Sequence, residues 1–306
     1  METGARGKRY PEKGGEAVSW KKADAFRFIA RYGDRCSVAV LCRKLGVSRS
    51  GYYAWQHRQD SPRKQDDGQL LAMIIKIHQA SREAYGYPRI HAALKTEGVV
   101  CGRNRVARIM RENGIKARMA RRFRCHRHLH YLFETPNLLL DRPPVRKANR
   151  VWVGDVSYIR VNKGWSYVCT VMDQYTRKII GWSFATQHDA ALVREAIHMA
   201  AQTQVPHRRT IFHSDQGSEF ANKEIRSVLE QFGLRVSMSR RGHCWDNAQM
   251  ESFFGTLKTE MVYFQRFKRV EEAIAYIKDY IQFYNEERLH SSLGYVPPTQ
   301  FERMAA

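Results

Sequence analysis

The sequence predicts a mixed α/β domain, a five-stranded sheet with flanking helices, preceded by an all-α region. Three observations carry this prediction. Between residues 37 and 114, short apolar helical stretches are punctuated by Gly46, Gly98 and Gly114, placed where helices end in the left-handed conformation that glycine adopts cheaply. From Val151, three runs rich in Val, Ile and aromatics follow one another across tight turns, the pattern of an antiparallel meander. After residue 188 helical and strand patterns alternate, which adds helices and further strands to the sheet.

Residues 1–36 read as a flexible N-terminal segment, because the first twenty (METGARGKRYPEKGGEAVSW) combine glycine with charge and carry little apolar surface to order a chain. The stretch SVAVLCRKLGVSRSGYYAW offers a helix to Leu45, a stop at Gly46 and a new N-cap at Ser48 or Ser50. That is the punctuation of a helix-turn-helix, and equally of a plain helical hairpin. A second pair follows. YPRIHAALKTEG is a helix closed by Gly98, and GRNRVARIMRENG a helix capped by Asn104 and closed by Gly114. Val106, Ile109 and Met110 supply its apolar face, and Arg103, Arg105, Arg108 and Arg111 lie along it. Residues 101–130 hold ten Arg or Lys against one acid, Glu112. Such a run repels itself without a counter-ion, and the phosphate backbone of DNA is a natural one. Residues 37–120 are therefore expected to form a helical DNA-binding region.

Residues 121–150 read as a basic linker. CHRHLHY (Cys125, His126, His128, His130) puts its histidines on one face of a strand, but no second Cys or His pair stands at finger spacing, so a linker fits better than zinc. Pro136, Pro143 and Pro144 with Arg142, Arg146 and Lys147 continue it.

The α/β core is expected over 151–265, with a C-terminal helix and tail over 266–306. Its strands are VWVGDVSYIRV, WSYVCTVMDQY and RKIIGWSFA, with turns at Asn162–Gly164 and Tyr175–Arg177. A helix over 189–204, a short strand ending at Asp215, a helix near 221–232 and the strand LRVSMS follow. The basic loop RRGHC, with Arg240 and Arg241 as candidate DNA contacts, leads to a helix expected to start on Asp246.

Three acids stand where a soluble fold has no ordinary use for them. Asp155 interrupts an apolar strand, Asp215 ends another, and Glu251 lies on the helix after the basic loop. Carboxylates brought together repel unless a divalent cation neutralises them. Oxygen ligands without Cys or His select Mg²⁺ or Mn²⁺, and two such ions suit in-line phosphoryl transfer. Asp173 also ends a strand, where turn capping explains it.

Asp155 and Asp215 are 60 apart, and 35 residues separate Asp215 from Glu251. In this spacing the chain resembles the DDE transposases and retroviral-type integrases, whose ribonuclease-H-like core carries such a triad. WVGDVSYI, MDQYTRKIIGWS, HSDQGSEF, WDNAQMESFFGTLK and YNEERLHSSLGYVPP are similar, in order, to the second-frame (OrfB) product of the insertion-sequence-three family. SRSGYYAW and YGYPRIHAAL are similar to that family's N-terminal region, so the resemblance runs from about residue 37 onward. It implies a ribonuclease-H-like five-stranded core and a transposase that cleaves and transfers DNA strands at element ends. It also implies that Asp155, Asp215 and Glu251 bind the metals and that Lys258 approaches the DNA end. Asn247 would orient Glu251 or cap its helix, and Arg288 and His290 would touch phosphate or pack the C-terminal segment.

The chain departs from its relatives in two ways. It lacks the His/Cys zinc module of retroviral integrases, and it shows no leucine heptad such as the family's upstream reading frame supplies. An upstream-frame partner or fusion is thus expected beside DNA and a second copy of the chain. A ribonuclease-H-type nuclease and a DNA-binding regulator without catalysis are the rival readings.

Composition agrees. With 52 basic and 30 acidic residues the chain carries +22, which calls for a polyanionic partner. No apolar run reaches the ~18–20 residues of a membrane span, and the first twenty residues lack a signal-peptide core. A cytoplasmic, nucleoid-associated protein without membrane partners is expected. Its six cysteines show no CxxC pair and read as reduced.

Overall fold

The structure, a computed structural model, describes residues 21–58, 61–119, 135–140, 142–240 and 243–305. The Cys125–His130 cluster and Arg241 lie outside them. The chain divides into two compact units, residues 1–68 and 69–306.

The first unit contains α1 (Lys22–Tyr32), α2 (Val38–Leu45) and α3 (Arg49–Gln56). Gly46 closes α2 at φ +67, and the Ser48 hydroxyl, rather than Ser50, caps α3 by accepting from the Gly51 amide at 3.1 Å. Helix α1 corrects the reading of 1–36 as flexible throughout. Its Ala25 and Ile29 are fully buried, and Phe26 packs on the small core of Ile29, Cys42 and Tyr52.

Helices α4 (Pro62–Ala80), α5 (Tyr87–Thr96) and α6 (Arg103–Glu112) follow. Ile74, Ile90, Leu94, Val106, Ile109 and Met110 form their common core. Gly98 and Gly114 take φ values of +79 and +69 just past the ends of α5 and α6. The cap of α6 is the extended Gly102, not Asn104, which falls inside the first turn.

The sheet is built from β1 (Val151–Val161), β2 (Gly164–Asp173), β3 (Ile179–Ala185), β4 (Ile211–Ser214) and β5 (Arg235–Met238), in the order β3-β2-β1-β4-β5. Strands β1 to β3 form the antiparallel meander, whereas β4 runs parallel to both β1 and β5. The two turns of the meander use left-handed Asn162 and Arg177. Side chains alternate along β1. Val151, Val153, Ile159 and Val161 enter the core shared with α9 (Ala248–Glu260) and α10 (Val270–Glu286). Trp152 and Val156 enter the opposite one, shared with α7 (Ala190–Thr203) and α8 (Lys223–Gln231). Gly181 is required on that second face, where a Cβ would stand 2.7 Å from the Ala200 amide nitrogen of α7. A last helix, α11, covers Pro298–Ala305. Among the described residues no helix is long and apolar enough to cross a membrane.

Two further expectations are corrected. Asp246 lies in a 3-10 turn (Cys244–Asn247) before α9 and does not cap it. Its carboxylate instead accepts from the Arg240 backbone and guanidinium and from Asn137. Residues 135–140 are also more than a linker. Met238 donates to the Pro136 carbonyl, Leu138 donates to the Ser237 hydroxyl, and Leu138 and Leu139 pack on the core. Apolar side chains gain more by covering that sheet edge than by staying in water.

Candidate active site

Asp155 takes the next place after Val151 and Val153 on the face of β1 that α9 covers, and it is only 8% exposed. Its Oδ1 accepts from the Val156 amide at 2.8 Å. Strand β4 pairs with β1 through Val151–Ile211, Trp152–Phe212 and Val153–His213. That register carries the same offset of 60 that separates Asp155 from Asp215, so Asp215 leaves the end of β4 beside Asp155. Both charges, with that of Glu219, are felt at the Cys169 thiol, which burial first and then Asp155, Glu219 and Asp215 hold well above its usual pKa.

The DQG sequence shapes the turn that follows. Asp215 Oδ1 accepts from the Gly217 amide at 3.1 Å, and Gln216 donates to the Ser239 carbonyl at 3.0 Å. A Cβ on residue 217 would lie 2.6 Å from the Glu219 carboxylate, so a larger residue there would push the end of that side chain aside. Glu219 Oε1 is 3.2 Å from His188 Nε2, and the His188 ring stacks on Tyr167 at 4.8 Å. The sequence reading missed both Glu219 and His188. The one available signal was a second acid four residues after Asp215. His213 is buried between the Ser237 and Ser239 hydroxyls, and burial lowers its pKa to about 4.

Glu251 sits in the first turn of α9 with its side chain exposed. Met250, Phe253, Phe254 and Leu257 bury the other side of that helix. Asn247 ties the start of α9 to β1 by donating Nδ2 to the Gly154 carbonyl at 3.2 Å, next to Asp155. It therefore positions the helix start and does not cap it through its side chain. Among the described residues no group of three or more His, Cys, Asp or Glu converges as a metal site. By the β1–β4 register Asp215 follows the end of β4 at the level of Asp155, whereas Glu251 is exposed in the first turn of α9.

The donor chemistry fits a hard divalent cation, since the candidate ligands Asp155, Asp215 and Glu251 are carboxylates rather than thiolates or imidazoles. A buried polar atom points the same way. Thr170 is paired with Asp155 across β1 and β2, is fully buried, and its hydroxyl has no hydrogen-bond partner. Such an oxygen is costly unless something uses it.

The basic candidates divide. The Lys258 ammonium lies 4.4 Å from the Tyr158 ring. Arg103 is exposed, its guanidinium 5.2 Å from the Tyr87 ring, Arg105 is half-buried, and Arg108 pairs with Glu112 at 2.8 Å. Arg240 is engaged by Asp246, whose pKa it draws down to about 2. Asp173 caps its turn, accepting from the amides of Asn149, Tyr175 and Thr176. Arg288 and His290 pack the C-terminal segment, with 4% and 7% exposure.

Residues 145–244 and 232–298 match integrase core domain models, and residues 64–123 match an HTH-like domain model. An uncharacterized 31 kDa protein of insertion element IS600 from Shigella sonnei is 40% identical over 85% of this chain and 97% of its own length. Transposase InsF for insertion sequence IS3A from Escherichia coli (strain K12) is 34% identical over 90% of this chain and 97% of its own. Among solved structures, a simian T-cell lymphotropic virus intasome in complex with PP2A regulatory subunit B56 gamma aligns at a TM-score of 0.45. It shares 12% identity over 75% of this chain and 74% of that one.

Proposed function

The chain belongs to the IS3-type transposase family, with an integrase core and an HTH-like domain, and from that premise we propose that it cuts and joins DNA strands at the ends of an insertion sequence. Asp155, Asp215 and Glu251 would hold Mg²⁺ or Mn²⁺, two ions in all. Bound there, the metal would supply Lewis-acid stabilisation to the attacking and leaving oxygens of an in-line displacement.

The chain's own residues supply position and charge. Asp155 is fixed by its strand and by the Val156 amide, and Asp215 by the Gly217 amide. Asn247 holds the helix bearing Glu251 against Gly154. Lys258 and the arginines of α6 would engage phosphates, positioning DNA without reading its sequence. Water is the nucleophile in cleavage and a DNA 3′-hydroxyl in transfer. Assembly of two or more copies on DNA, and an upstream-frame partner, belong to the same reading.

The observation that supports the reading is the register of the parallel strands β1 and β4, whose offset of 60 is the one between Asp155 and Asp215, with the unpartnered hydroxyl of buried Thr170 opposite Asp155. Asp215→Asn keeps shape and removes charge. In the full chain with Mg²⁺ and oligonucleotide element ends, it should abolish cleavage and strand transfer while DNA binding persists. Joining at near the wild-type rate would remove this acid from the chemistry.

A further inference from the structure

We propose that Trp165, with Tyr158 and Arg160 at the tip of the β1–β2 hairpin, is a stacking platform for unpaired bases of the DNA strand that enters the candidate active site. This rests on the transposase reading above and adds to it a site for nucleobases rather than phosphates.

Trp165 is 50% exposed, far more than a sheet tryptophan held for packing alone. Its ring meets Tyr158 edge-on at 5.2 Å and 88°, and the Arg160 guanidinium stands 5.1 Å from its centroid. The cross-strand register explains the cluster, since Arg160 is opposite Trp165 and Tyr158 is opposite Tyr167, one diagonal step away. The tip is basic, because Arg160 and Lys163 are exposed and the Lys258 ammonium lies over Tyr158. Lys258 comes from α9, the helix that carries Glu251. Beyond Val153 the ladder with β4 has ended, and among the described residues only the isolated bridge of Val161 to Phe267 pairs with this stretch of β1 on that side.

An aromatic face rimmed by cations is what single-stranded nucleic acid binds, the cations following the backbone and the ring taking a base. A paired duplex offers no base face except at its end. The reach also fits. Tyr158 and Arg160 lie three and five residues beyond Asp155, roughly 10–17 Å along the strand at about 3.3 Å per residue. That distance is about three to five nucleotides at 3.4 Å each. By alternation the two side chains stand on the opposite face of β1, so the DNA strand would pass round the edge of β1 beyond the end of β4, as the Lys258 side chain of α9 does to reach Tyr158. The platform would thus hold bases opened near the reacting phosphate and keep the end from re-pairing.

The test reads binding alone, in EDTA, so that no cleavage or metal enters it. The full chain and its Trp165→Ala and Trp165→Phe variants are titrated with a single strand of about 12 thymidylates and with a blunt duplex of equal length. Trp165→Ala should weaken single-strand binding by about 5- to 100-fold, from the loss of one stacked base, and leave duplex binding within about twofold. Trp165→Phe, which keeps a ring, should retain most of the single-strand affinity. Unchanged single-strand binding by Trp165→Ala, or an equal loss on both ligands, overturns the platform. Neither result bears on the Asp215→Asn experiment, which reads catalysis.

Discussion

Arg288 and Glu260 form a buried two-pronged ion pair, Nη2 to Oε1 at 2.6 Å and Nε to Oε2 at 2.9 Å, with 5% and 4% of their side chains exposed. The pair joins the last residue of α9 to the turn that follows α10, and the Tyr280 hydroxyl donates to the same carboxylate at 2.9 Å. The next residues of that turn hold the helical module. Tyr85 accepts from the Leu289 amide at 2.6 Å, Arg89 donates to the Leu289 carbonyl at 2.9 Å, and Arg82 grips Asp279 with two hydrogen bonds. One buried pair thus lies between the helix that carries Glu251 and the contacts that hold α4 to α6.

Removing one partner strands a charge in the interior, which typically costs about 3–5 kcal/mol. Arg288→Met alone should destabilise the protein by that order, seen as a lowered urea midpoint. The double change Arg288→Met with Glu260→Leu should recover much of the loss, because two apolar side chains leave no orphan charge. A double variant as unstable as the single one would show that packing, not charge, is at stake.

His290 makes stability depend on pH. Its ring meets Tyr284 edge-on at 4.5 Å, and burial, then the Arg288 charge with those of Arg89 and Arg177, lowers its pKa from 6.5 to about 3. Between those values the unfolded chain binds a proton that the folded chain refuses. Stability therefore falls as pH falls through this window, by up to about 1.4 kcal/mol per pH unit. His213, lowered to about 4, acts in the same direction down to that pH. His290→Gln should flatten the slope between pH 6 and 4 by one proton in urea unfolding, and an unchanged slope would mean His290 titrates normally in the fold.

Much of this was legible in the sequence because it is local. Alternation in VWVGDVSYIRV and the glycines at 46, 98 and 114 set strand faces and helix ends without reference to distant residues. The 60-residue offset between Asp155 and Asp215 became meaningful only through the β1–β4 register, yet motif order already pointed to it. Helix α1 was missed because its buried apolar side chains, Ala25 and Ile29, are too few to outweigh the surrounding charge. The pairs Arg288–Glu260 and His188–Glu219 were missed because nothing local marks partners 28 and 31 residues apart. Arg240 read as a free basic contact, and only the turn at Cys244–Asn247 brings Asp246 back to it.

The arginines of α6 should not contribute equally to DNA binding. Arg103 is exposed on the helix start, whereas Arg108 already has Glu112 at 2.8 Å. Each neutralised phosphate contributes about 0.9 to the salt slope of binding. Replacing Arg103, Arg105 and Arg108 together with Ala should weaken DNA binding and flatten that slope, with cleavage of pre-bound DNA less affected. An unchanged slope in gel-shift titrations from 50 to 200 mM salt, the range over which such ion pairing is read, would make this face merely solvated.

The last prediction separates charge that holds metal from charge that holds DNA. Asp155→Asn preserves the volume of a carboxylate that is 8% exposed and leaves an oxygen to accept from the Val156 amide. The strand should therefore fold as before, but a cation site built on negative charge is lost. Cleavage and strand transfer should vanish, while affinity for element ends holds or rises as one charge that repels phosphate is removed. Lys258→Ala should do the reverse. Its ammonium lies over Tyr158 on the side of α9 that leads to Glu251, so its removal should weaken binding at the reacting end and leave the Mg²⁺ dependence of the remaining activity unchanged. Gel shift and strand transfer on the same oligonucleotides, across a Mg²⁺ titration, compare the two. If Lys258→Ala moves the Mg²⁺ midpoint while Asp155→Asn does not silence the reaction, the roles given to these two residues are wrong.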